Sequence, residues 1–238
     1  MKDKNYFLLL FLILFYFSGL TIYSMEPLPK KLEQVGVSEN LGQRLPLDLV
    51  FKDSYNNTVS SNILFESDKP TILNLAYYSC PMLCHLVTGA LVDGINNLSL
   101  ELGVDYNILT ISIDPKDSVT TAAQFRDMYH TKLTNFENKD SWKFLVGNES
   151  DISKLSQALG FNYTYDKKSG EFSHSAVLFV LSSKSEIVRY LYGLQFRSLD
   201  LKISLLESKN ENRISTVERL LLFCYNYNPQ STKYVLFA

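Results

Sequence analysis

Glycine is sparse in this chain, 10 of 238 residues, and nowhere does it form a phosphate-cradling loop. Nucleotide, kinase and hydrolase motifs are likewise missing. Neither charge dominates: 23 Lys and Arg face 25 Asp and Glu, and no basic tract appears, so electrostatics give no reason for a nucleic-acid partner. Internal repeats and low-complexity stretches are absent, which removes solenoids, propellers and disordered tails as main architectures. Cysteine and histidine occur only 3 times each. After Ser24 no hydrophobic stretch reaches spanning length, and no lipid-attachable cysteine follows the first such stretch.

What is present begins with Lys2 and Lys4 and an unbroken apolar run from Tyr6 to Phe17, interrupted at Ser18-Gly19. This is an export signal. Ile22-Tyr23-Ser24 offers a fair cleavage site, while Tyr6 to Tyr23 is just long enough to span, so residues 1–24 read as a signal peptide or an N-terminal membrane anchor, with cleavage favoured. Either way the positive flank stays in the cytoplasm and the rest is delivered to the periplasm or the outer face of the cytoplasmic membrane. The remaining chain, 46% hydrophobic over the whole sequence, suffices for one well-buried core. Residues 25–44, with Pro27, Pro29, Gly36 and Gly42, read as an extended lead-in, and residues 45–238 as the domain.

Alternation of Leu47, Leu49 and Phe51, followed by the turn-rich Asp53 to Asn57, predicts a hairpin. Pro70 to Tyr78 predicts a central strand, Leu86 to Leu100 a helix, Tyr106 to Ile113 a second strand. Asp117-Ser118 offers cap oxygens for a helix over Val119 to His130, and Gly160 stops another over Asp151 to Leu159. Ala176 to Leu181 and Ile187 to Leu191 flank a polar turn and predict a second hairpin. Helices over Leu199 to Leu206 and Ser215 to Phe223 close the chain. This order predicts an α/β fold: a thioredoxin-like mixed sheet flanked by helices, with an extra N-terminal hairpin.

The chemistry gathers at Ser79-Cys80-Pro81-Met82-Leu83-Cys84, where a buried strand meets a helix. Unpaired N–H groups at a helix start favour the thiolate, the form that binds metal or attacks disulfides. If both residues were helical, the CxxxC spacing would place the two sulfurs on one face about 40° apart, at the surface of that junction. A metal clip is favoured over thiol exchange, and a structural disulfide is the alternative, although it would close only a tiny loop. Two thiolates suit soft Cu(I), and a nitrogen ligand would extend the site to Cu(II). His85 projects away from Cys84, His130 complements a helix C-terminus, and His174 stands at a loop-to-strand junction from which it can reach a neighbouring strand end. Cys224, inside Leu220 to Phe223 and its flank, reads as a buried inert thiol.

Over nearly all of its exported part the chain resembles the Sco/SenC family. The resemblance is carried by GVSENLGQRLPLDLVF from Gly36, YYSCPMLCHLV, ILTISIDPKDS, EFSHSAVLFVL and LLLFCYNYNP from Leu220. It implies that Cys80, Cys84 and His174 are copper ligands, one copper per chain, held as Cu(I) or Cu(II). Asp114-Pro115 matches the family's Asp-Pro, so Asp114 is either a carboxylate near the metal that orients or tunes it or a turn residue after the strand. Relatives often have histidine where Asn226 stands.

The resemblance further implies an assembly factor that delivers copper to the binuclear copper site of cytochrome c oxidase, or reduces that site's cysteines. The thiols Cys80 and Cys84 would be redox-active in the second case. Its partners would be oxidase subunit II or another copper acceptor, together with a protein that donates copper. The alternatives are a general thiol-disulfide reductase or redox sensor, and a periplasmic copper buffer.

Overall fold

The structure is a computed structural model that describes residues 35–134, 138–209, 225–228 and 233–236, without the side chains of Lys139, 225–228, Val235 and Leu236. The expected signal or anchor at 1–24, most of the lead-in, Cys224, the helix expected over Ser215 to Phe223 and the side chain of Asn226 lie outside it.

In chain order the elements are β1 (Gly36–Val37), β2 (Val50–Asp53), β3 (Thr58–Ser60), α1 (Ser61–Phe65), β4 (Thr71–Ala76), α2 (Leu83–Asn96), β5 (Asn107–Ser112) and α3 (Val119–His130). They continue with β6 (Trp142–Gly147), α4 (Glu149–Ala158), β7 (Phe161–Asn162), β8 (Thr164–Asp166), β9 (Glu171–Ser173), β10 (Val177–Leu181), β11 (Ile187–Tyr192), α5 (Ser198–Ser208), β12 (Tyr225–Asn228) and β13 (Lys233–Leu236). A seven-stranded sheet in the order β11-β10-β4-β5-β6-β2-β3 forms the frame. β4, β5 and β6 run parallel, and the outer strands are antiparallel to their neighbours.

Alternating side chains of the central strands feed two cores. Ile72, Ile108, Leu178 and Val180 pack with Leu91, Phe125 and Leu201 from α2, α3 and α5. Leu73, Leu109, Phe179 and Leu181 pack on the other face with Ile152 and Leu155 of α4. A sheet buried on both faces needs near-continuous apolar strands, which is why β4 and β10 carry no alternation. This is the mixed α/β sandwich expected, with β2 and β3 as its N-terminal hairpin.

Several pieces differ from the sequence expectation. α1, β6, the small β8–β9 hairpin and the β12–β13 pair are additional. β6 is a short apolar run that periodicity alone does not assign, and polar residues dominate β8 and β9. At the N-terminal side β1 pairs with β7, and Ser38 N–H donates to the Gly160 carbonyl at 2.8 Å. That crossing requires glycine: a Cβ on Gly160, whose φ is +61°, would meet the Ser38 carbonyl oxygen at 1.8 Å.

At the C-terminal side, β13 is tied to α5. Tyr234 N–H donates to Asp200 at 3.0 Å, and its hydroxyl donates to Glu207, which also pairs with Arg189 of β11 at 2.6 Å. Among the described residues no helix is long and apolar enough to cross a membrane.

Candidate metal centre

β4 ends at Ala76, at the carboxyl end of the parallel strands, where α/β folds place their sites. A turn follows, closed by Cys80 N–H donating to the Tyr77 carbonyl at 3.1 Å, and α2 starts only at Leu83. Cys80 is therefore in the turn and Cys84 alone is helical, so the two sulfurs do not meet through helical spacing. The fold-back of the turn joins them: Cys84 N–H donates to Cys80 Sγ at 3.3 Å, and Tyr77 N–H donates to Cys84 Sγ at 3.4 Å. Both side chains are also buried rather than at the surface, at 4% and 1% exposure. Both are free thiols.

Their environments push the two thiols apart. The Cys84 S–H donating to its sulfur is the largest influence holding the Cys80 thiol well below its ordinary range, to about 5, with the backbone N–H groups of Cys84 and Met82 and the Tyr77 hydroxyl adding to it against the cost of burial. Cys84, as donor to that thiolate and deeply buried, is driven far up. Cys80 is thus the more acidic thiol of the pair.

His174 completes the row. It sits between β9 and β10, and because β10 runs antiparallel to β4, the segment before Val177 returns to the end of the sheet where the cysteines lie. Its Nε2 is 3.3 Å from Cys84 Sγ, and its Nδ1 is 3.0 Å from the Ser175 carbonyl. A carbonyl can only accept, so Nδ1 carries the proton and Nε2 presents its lone pair to the sulfur. Burial holds the imidazole below its ordinary pKa and hence neutral. Phe161 and Tyr77 flank the ring, with centroids at 5.8 Å and 6.1 Å.

Among the described residues no three His, Cys, Asp or Glu side chains stand grouped around a common point. Cys80, Cys84 and His174 stand in series instead, with Cys84 in contact with both of the others. A cation of soft to borderline character suits this donor set, since two sulfurs and a neutral imidazole are the ligands such ions prefer.

The remaining residues divide clearly. Asp114 accepts from Lys116 N–H at 2.9 Å, closing its own turn. Asp117, read from the sequence as a cap, leaves that role to Ser118 and reaches back to the cysteine turn: its carboxylate accepts from Tyr78 N–H at 2.7 Å and from Ser112 Oγ at 2.6 Å. Burial raises its pKa. Tyr77 is the second residue that the sequence reading passed over, because an aromatic at a strand end signals packing, and it does pack, on Phe172 at 5.2 Å. His85 bonds to the Tyr129 hydroxyl at 2.8 Å and stacks on Phe125, and His130 packs edge-on against Phe144 at 5.4 Å.

No curated protein matches the chain in sequence. Among solved structures, one from Aquifex aeolicus VF5 is 28% identical, with a TM-score of 0.64 over 73% of this chain and 97% of that one. A SCO1/SenC family lipoprotein from Bacillus anthracis str. Ames is 16% identical, with a TM-score of 0.54 over 66% of this chain and 89% of that one. BsSco, described as a Sco family cytochrome c oxidase assembly protein with a disulfide switch, is 16% identical, with a TM-score of 0.51 over 66% and 88%. The SCO1/SenC family model matches residues 48–199, which include both cysteines and His174, and the chain belongs to the SCO1/SenC family.

Proposed function

We propose that this chain is an extracytoplasmic copper-binding assembly factor, which takes one copper ion on Cys80, Cys84 and His174 and passes it to a copper acceptor, subunit II of cytochrome c oxidase foremost. The observation that carries this reading is the row of donors in which Cys84 Sγ lies 3.3 Å from His174 Nε2 and its N–H reaches Cys80 Sγ at the same distance. Family membership supports the cargo, and the description of BsSco as an oxidase assembly protein supports the destination. The apolar run from Tyr6 to Phe17 supports delivery across the membrane.

Copper is cargo here, so the site must release as well as bind. Transfer of Cu(I) by ligand exchange forms one acceptor thiolate–copper bond for each Cys sulfur–copper bond broken and leaves the oxidation state unchanged. The test is anaerobic reconstitution of the reduced chain followed by incubation with the acceptor domain: copper should load at one per chain and then appear on the acceptor.

One observation favours a second use of the same thiols. Cys80 Sγ accepts from Cys84 N–H at 3.3 Å, so two free thiols stand side by side with Cys80 the more acidic, the arrangement that attacks a disulfide and then resolves it, with the two electrons leaving this pair as its own disulfide. Reduction of an oxidised acceptor by the copper-free chain, read as loss of the acceptor disulfide with matching oxidation of Cys80 and Cys84, separates this reading from delivery alone.

A further inference from the structure

The three donors are nearly closed off, with His174 at 8% exposure and the cysteines lower still. Neither an incoming ion nor an acceptor's ligand can touch them until something opens. The cysteine turn is the piece placed to do so: Ser79, Pro81 and Met82 face solvent, and its inner side is closed by N–H groups that donate to the two sulfurs.

Tyr78, two residues ahead of Cys80, is held at both ends. Its main-chain N–H donates to Asp117 at 2.7 Å, and Ser112 Oγ fixes the same carboxylate oxygen at 2.6 Å. Its ring packs on Phe125 with centroids 5.0 Å apart. Beyond the ring, the hydroxyl reaches the backbone of two central strands. It accepts from Leu145 N–H of β6 at 2.9 Å and lies 2.8 Å from the Leu145 carbonyl and 3.0 Å from the Thr110 carbonyl of β5, either of which can take its proton. Packing explains the ring, which phenylalanine would supply equally. It does not explain a hydroxyl set into the backbone of strands 32 and 67 residues away. With only Ser79 between them, a swing of Cys80 away from Cys84 pulls on this anchored residue.

We infer that Tyr78 is the positioning residue that keeps the cysteine turn closed, and that its hydroxyl between β5 and β6 sets how fast copper enters and leaves. The inference rests on the copper reading above for its cargo and on geometry alone for the turn. The Tyr78 contacts lie outside the donor set, so they are present in the copper-free and the copper-loaded chain alike and are lost only when the turn opens. Removing the hydroxyl therefore speeds uptake and release together and leaves the affinity where it was.

The test uses the full reduced chain in detergent, with Tyr78→Phe and, as control, Trp142→Phe. The control removes a buried hydrogen bond between the same two strands, from Trp142 Nε1 to Thr110 Oγ1 at 2.9 Å, and leaves the turn untouched. In the copper-free chain, residue-resolved amide exchange at Tyr77 and Cys84, whose N–H groups donate to the two sulfurs, should be about fivefold faster in Tyr78→Phe, as for one lost hydrogen bond. In Trp142→Phe it should not change. Stopped-flow transfer of Cu(I) to and from excess chelator should speed up in both directions by the same factor, with the affinity within about twofold of the unmodified chain's. Turn amides that keep their unmodified rates, equal effects in the two variants, or an altered affinity at unaltered rates would each overturn the inference. If Tyr78→Phe does not fold, Asp117→Ala and Asp117→Asn decide: the alanine should speed exchange at the same two amides, and the asparagine, which keeps an oxygen for Tyr78 N–H, should restore the slow rate. No difference between those two would overturn the inference as well. Failure of the unmodified chain to take copper would instead count against the metal reading, and the exchange arm judges the turn either way.

Discussion

Cys84 and His174, 90 residues apart in the chain, meet with Sγ and Nε2 at 3.3 Å. Sheet register produces the meeting. β10 is antiparallel to β4, so the residues that precede one strand share an end with the residues that follow the other. Neither a helix nor a local turn could have brought that nitrogen to that sulfur.

Cys80→Ser and Cys84→Ser should each abolish tight copper binding while the chain still folds. Both side chains are buried, so a small loss of stability is expected, about 1–3 kcal/mol, from exchanging a sulfur for a more polar oxygen of smaller volume. Circular dichroism with thermal melts checks the fold and elemental analysis checks the metal. Full unfolding of either variant would mean that the pair is chiefly structural.

Alkylation should report the split between the thiols. Cys80 should react with iodoacetamide along a pH profile with a midpoint near about 5, and Cys84 should remain protected. Stability follows the same group: between about pH 5 and the ordinary thiol pKa of about 8.5 the unfolded chain binds a proton there that the folded chain lacks, so this contribution rises with pH. It is fully present above the unfolded value and is lost as pH falls through about 5. Mass spectrometry after timed alkylation measures it, and an ordinary midpoint for Cys80 would contradict the arrangement described.

Tyr77→Phe keeps the ring that packs on Phe172 and removes the hydroxyl that donates to Cys80. The alkylation midpoint of Cys80 should rise, by about one unit or less for a single hydrogen bond to a charged sulfur, with the thermal midpoint little changed. A profile identical to that of the unmodified chain would remove the hydroxyl from the account.

The order of strands and helices was legible because the central elements announce themselves. The apolar run at β4, the cap and period of α3 at Ser118 and the hairpin of β10 and β11 are all local signals. The donor trio was legible only through the family resemblance, since nothing local to His174 says which strand end it faces. What escaped was non-local. The role of Asp117 is defined by a backbone N–H on Tyr78, 39 residues away, and that of Tyr77 by a sulfur held in a turn. The expectation that Cys80 and Cys84 share a helix face failed because Pro81 and Met82 belong to the turn, with α2 starting only at Leu83.

His174→Ala should separate the oxidation states of the cargo. Cu(I) is satisfied by two thiolates, whereas Cu(II) prefers more ligands with nitrogen among them, so the variant should lose more affinity for Cu(II). Each tenfold difference raises the copper reduction potential by about 59 mV for one electron. Paired competition titrations with a Cu(I) and a Cu(II) chelator measure this, and equal weakening of both states, or of neither, would contradict the ligand role.

The central claim is that one copper binds to Cys80, Cys84 and His174 together, and X-ray absorption at the copper edge of the Cu(I)-loaded, reduced chain tests it most directly. The account predicts one copper per chain with two sulfur neighbours and one nitrogen neighbour, the nitrogen disappearing in His174→Ala. A shell of nitrogen and oxygen alone, or one that this substitution leaves unaltered, would contradict it.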